Sequence, residues 1–133
     1  MASQIDDTKP AAGAATTASV RLQFTRAKAE ISALQLTAFG YVGQAVIDFG
    51  AKPSTTNSAQ VAVTGLPLIV ATSTLEASLR MEATGDHPLD DLMADAPEIF
   101  AGSITPGTGF VIYGKMKHGA GYGQYKINFT VRV

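Results

Sequence analysis

The chain has 133 residues, enough for one domain of ordinary size and too few for two with independent cores. At 46% apolar and 16% charged residues it excludes wholesale disorder, and ten Lys and Arg against eleven Asp and Glu leave no net field to gather nucleic acid or an anionic membrane. The absence of cysteine removes disulfides, thiolate zinc sites and cysteine nucleophiles together.

Along the chain, residues 1–15 hold Asp6, Asp7, Lys9, Pro10 and Gly13 among small residues, without a hydrophobic period, and read as an extended arm. No basic stretch leads into an apolar one there, and no apolar run reaches the eighteen or so residues of a membrane span, so a cytoplasmic site of synthesis and assembly is expected. From residue 16 the pattern changes. Val20, Phe24, Ala27, Ile31 and Leu34 recur at alternating spacings of four and three, which places them on one helical stripe. Thr16, Thr17 or Ser19 can cap the first free backbone donors, and no Pro or Gly interrupts the run before Gly40. The expected helix occupies 16–39 and is the one helix that the sequence supports. Its narrow seam suits helix-on-helix packing, and an isolated helix of this length is marginal in water, so the seam is expected to dock.

Beyond Gly40 short β-type runs follow, at 41–49, 60–64, 68–72, 75–82, 97–104, 109–116 and 122–133. In the last, Tyr125, Ile127, Phe129, Val131 and Val133 alternate with Lys126, Asn128, Thr130 and Arg132, giving one apolar and one polar face. Turn-forming residues separate the runs. About seven short antiparallel strands in roughly ninety residues predict a mainly β domain over 40–133, an antiparallel β-sandwich or jelly roll. Residues 76–98 carry seven acids against Arg80 alone, and 115–132 carry four bases and no acid. These are either solvated faces of neighbouring strands or complementary patches that pair subunits head to tail.

Chemistry is sought first at the two histidines. His87 lies in Asp86-His87-Pro88-Leu89-Asp90-Asp91 with Asp95 beyond, but neither the H-E-x-x-H nor the EF-hand spacing is present. The preferred reading is that Asp86 and His87 hydrogen-bond backbone groups in a turn, and no metal or other cofactor is expected. His118 stands at a hairpin tip. No G-x-S-x-G elbow occurs, and the Gly119-Ala120-Gly121-Tyr122-Gly123 run precedes a strand where a phosphate loop needs a helix; it reads as a flexible turn. No enzymatic activity is expected. Asp86, His87, His118 and Tyr122 remain candidate loop contacts, to a glycan in the case of a receptor-binding module. Tyr113, Tyr122 and Tyr125 with three nearby lysines read as core and solvent faces of strands, without nucleic-acid binding.

Two stretches resemble known families. Ile5-Asp6-Asp7-Thr8-Lys9-Pro10, Gly13, Thr16-Thr17-Ala18-Ser19-Val20-Arg21, Phe24 and Ala27-Lys28-Ala29-Glu30-Ile31 resemble the amino-terminal segment of many tailed-phage tail-fibre and other virion proteins, where it precedes varied carboxyl-terminal domains. Ile47-Asp48-Phe49-Gly50-Ala51, Val61-Ala62-Val63-Thr64-Gly65, Ala71-Thr72-Ser73, Glu76-Ala77, Ala83-Thr84-Gly85-Asp86-His87, Ala101-Gly102 and 107–113 resemble a family of small phage virion-associated proteins. Between Lys115 and Tyr122 the chain is shorter than that pattern. The resemblance implies a non-enzymatic virion protein assembled in the host bacterial cytoplasm. Its partners would be other virion proteins and copies of itself, as trimer or dimer. A tail- or fibre-associated attachment role is expected first and capsid decoration second, with Val20, Phe24, Ala27, Ile31 and Leu34 as the assembly residues.

Overall fold

The computed structural model describes residues 17–133 and divides between Phe39 and Gly40 into two units. The expected arm over 1–15 lies outside the described residues. Helix α1 runs Thr17–Phe39. Along it Phe24, Ile31 and Leu34 are exposed at 73%, 55% and 62%, while Val20 and Ala27 are half-buried. Leu22, on the side away from that seam, is also exposed.

The second unit is a β-sandwich of two three-stranded antiparallel sheets. Its strands are β1 (Tyr41–Asp48), β2 (Ser58–Val63), β3 (Thr74–Leu79), β4 (Glu98–Thr105), β5 (Gly109–Lys115) and β6 (Gln124–Arg132), ordered β1-β6-β3 in one sheet and β2-β5-β4 in the other. Alternation places β6 at the centre of its sheet: Tyr125, Ile127, Phe129 and Val131 are buried, and Gln124, Asn128 and Arg132 face out. From the facing sheet β5 contributes Phe110 and Ile112, and the Phe110 and Phe129 rings meet edge to face at 5.4 Å. Strand β1 packs on β2 and β3 on β4, so the strands of one sheet lie over their chain neighbours in the other.

Two features differ from the sequence reading. Residues 68–72 form no strand. The Ile69 N–H donates to the Leu66 carbonyl and the Ser73 N–H to that of Val70, so the segment closes into two tight turns. Leu66 and Ile69 are buried at the end of the core while Leu68 and Val70 face out, a spacing of three that a strand cannot produce. Among the described residues six strands therefore stand where seven were expected, fewer than the eight of a jelly roll. Secondly, a short helix α2 (Leu89–Ala94) accompanies α1. Pro88 precedes it, Asp90 and Asp91 occupy its positive first turn, and Leu92 anchors it in the core.

The opposed charges are partly used inside the unit. Lys126 on β6 and Arg80 both pair with Glu82, whose carboxyl is held below its ordinary range, chiefly by the Lys126 hydrogen bond. Lys117 approaches Glu98 at 3.9 Å. These contacts favour solvated neighbouring faces as the reading of the charge pattern. Among the described residues no helix is long and apolar enough to cross a membrane.

Candidate functional site

Three loops converge on His87, the one buried charged or polar residue among those described, at 3% exposed. Residues 84–87 form a turn around the Thr84 hydroxyl, which accepts the N–H groups of Asp86 and His87 and donates to the carbonyl of Gln124. The turn is fastened to the start of β6 by Asp86, whose Oδ2 accepts the Gln124 N–H at 2.9 Å. The Gln124 side chain in turn donates to Asp48, whose other oxygen takes the N–H of Gly50, and these bonds hold the Asp48 carboxyl below its ordinary range, that of Gly50 foremost. The bonds to Gln124 join residues 38, 40 and 76 positions apart in sequence, so they tie the turn to the start of β6 and β6 to the end of β1.

The β5–β6 connection supplies the second wall. The Gly121 N–H donates to the Thr56 carbonyl and that of Gly123 to the Gly50 carbonyl, which zips the connection onto the loop after β1. Both glycines are buried. A Cβ on Gly121 would sit 2.7 Å from the Phe49 ring and 2.8 Å from Met116, and Gly123 has φ +69° and lies against Asp86. Of the three glycines expected to mark a flexible turn, Gly121 and Gly123 stand where the backbone passes close to neighbouring side chains, and Gly119 stands in open space.

His87 locks the two walls together. Its Nε2 lies 2.7 Å from the Tyr122 carbonyl, an acceptor only, so Nε2 carries a proton and donates it to that carbonyl. The imidazole stacks on Tyr125 at 4.3 Å and leans against Tyr122 at 4.6 Å, while the Lys52 ammonium lies over the Tyr122 ring at 3.8 Å from its centre. Tyr125 meets Phe49 edge-on at 5.6 Å. Nδ1 of His87 points toward Asp91, 3.9 Å away. That distance is beyond hydrogen-bond reach.

Between α2 and the β5–β6 connection these groups leave an open cleft of about 240 Å³, lined by His87, Asp91, Asp95, Met116, Tyr122 and Tyr125. Two larger hollows, one beside Ser103 and one beside Phe100, contain neither carboxylate nor imidazole. Of the candidate loop contacts, the structure brings His87 and Tyr122 together in the cleft. Asp86 is engaged with Gln124, and His118 stands exposed on the β5–β6 connection outside the lining. Among the described residues no group of three or more His, Asp or Glu side chains is placed to hold a metal ion. Tyr125, which sequence alternation assigned only to the core, is the main ring partner of His87; Lys52 carried no signal at all.

Burial pushes the Tyr125 hydroxyl up to about 12, with the charges of Tyr122, Asp95 and Asp91 adding to the shift. A phenol raised in the folded state stabilises fully below its unfolded value near 10 and loses that contribution as pH rises through 12. Urea unfolding between pH 9 and 12 is expected to show this loss in the native chain and not in Tyr125→Phe; parallel pH profiles would show that the hydroxyl does not report folding.

Comparison with family models, curated proteins and solved structures found no match to this chain.

Proposed function

We propose that the chain is a non-enzymatic attachment module of a tailed-phage virion, associated with the tail or its fibres, in which α1 grips sister copies and the β-sandwich forms the projecting body. The observation that carries the assembly role is the seam on α1. Phe24, Ile31 and Leu34 stand more than half exposed at heptad spacing, with Val20 and Ala27 completing the row. Large apolar side chains in such a row contribute when a second helix covers them, each worth roughly 1.5 to 3 kcal/mol if fully buried. A spacing of four and three matches an identical helix, which supports a dimer or trimer. The virion and tail assignment rests on the resemblance of Ile5–Pro10 and of the Val20–Ile31 region to phage attachment segments. Both fastenings of His87, through Nε2 and through its ring faces, serve the loop architecture, which supports a structural body.

Sedimentation equilibrium of the intact chain tests the partner: concentration-dependent association into dimers or trimers is expected, and a monomer at all concentrations would overturn self-pairing. A cryo-EM map of the particle tests the place. Density at the tail is expected, whereas density across the head lattice would replace the tail role with capsid decoration.

A further inference from the structure

The cleft beside His87 gathers hydrogen-bond acceptors and no cation. Asp91 and Asp95 are exposed, and neither pairs with a described lysine or arginine. Nε2 of His87 donates to the Tyr122 carbonyl, and Nδ1 faces Asp91 at 3.9 Å and makes no hydrogen bond among the described residues. His87 is 3% exposed, and its Nδ1 opens toward the cleft, where a donor from outside can reach it. The rings do not complete a sugar site: Tyr125 is buried under His87, and Tyr122 is already engaged by His87 and by the Lys52 ammonium, which is not part of the lining. The remaining lining is Ala94, Met116 and Ala120, small or flexible apolar groups suited to a methylene stem. The volume of about 240 Å³ is below the roughly 300 to 1,000 Å³ of pockets that enclose drug-sized ligands, and fits one side chain.

We propose that this cleft receives the ammonium or guanidinium head of a lysine or arginine side chain from a protein partner. Asp91 and Asp95 take the charged head, Nδ1 of His87 accepts one of its N–H groups, and Ala94, Met116 and Ala120 cover the stem. The Tyr125 hydroxyl is raised by burial first and by Tyr122 next, and the charges of Asp95 and Asp91 add to the shift. This surface lies in the sandwich and is independent of the seam on α1, so it stands whether or not α1 self-associates.

Amide chemical-shift titration of the intact chain tests the inference, using agmatine, spermidine, N-acetyl-arginine-N-methylamide and, as a neutral polyol, methyl α-glucoside. The capped arginine and agmatine are expected to shift the amides of Asp91, Asp95, Gly121 and Tyr122 with saturation in the millimolar range. Asp91→Asn with Asp95→Asn should weaken both by about fivefold to tenfold, the loss expected for charge pairs at a partly exposed site. Both aspartates are exposed, and unchanged shifts in β6 will show that the variant folds. Three results would overturn the proposal: equal binding by the double variant, saturation by the glucoside alone, or binding of agmatine and spermidine without the capped arginine, which would make the occupant a free amine.

Discussion

Phe24→Asp is expected to abolish association of the chain and its incorporation into particles, while the sandwich unfolds at the same denaturant midpoint as before. The asymmetry follows from where Phe24 stands. It is 73% exposed on α1, and it is not among the residues that form the core around Ile47, Ile112 and Ile127. In an assembled helix seam the same position is covered on all sides, and an aspartate there must be desolvated without a partner, beyond the roughly 1.5 to 3 kcal/mol lost with the ring. Association should fall by about 100-fold or more, since each 1.4 kcal/mol is a factor of ten. Leu22→Asp is the control. Leu22 is exposed to a similar degree as Ile31 but lies on the side of α1 away from the row, so the same charge placed there should leave association within about threefold of the native value. Sedimentation equilibrium and particle copy number read the result. Normal incorporation of Phe24→Asp, or equal loss with Leu22→Asp, would remove the seam from the mechanism.

What the sequence made legible was what depends on period. Alternation at Tyr125, Ile127, Phe129 and Val131 located β6 and its inward face because one side of that strand is packed against β5 and the other meets solvent. The run after Pro67 failed for the opposite reason: Leu66 and Ile69 are buried through turns, whose apolar spacing follows local hydrogen bonds and has no period to read. Helix α2 is only six residues long, too short for a helical repeat, although Pro88 followed by Asp90 and Asp91 is a helix-start signal that stood in the sequence. At the site, the turn role of Asp86 and His87 was readable because short polar side chains before a proline favour backbone bonds. The stacking of Tyr125, the position of Lys52 and the cleft itself come from contacts between segments distant in sequence, and no local pattern encodes them.

His87→Ala is expected to destabilise the sandwich by about 2 to 4 kcal/mol, a large share of the total stability of a small domain. Two losses combine. The Tyr122 carbonyl loses the donor it meets at 2.7 Å, and an acceptor left without its partner costs roughly 1 to 3 kcal/mol. Removal of the imidazole also takes away the ring that stacks on Tyr125 and touches Tyr122, pair terms of about 0.5 to 1.5 kcal/mol, and leaves a void where three loops meet. His87→Phe separates the two effects. It keeps a flat ring between the tyrosines and removes only the donor, so its loss should be about half that of the alanine variant. Urea unfolding of both variants checks the ranking. If phenylalanine costs as much as alanine, the hydrogen bond to Tyr122 carries the lock and the stack is incidental; if neither costs more than about 1 kcal/mol, the bonds of Thr84 and Asp86 to Gln124 hold the loops without it.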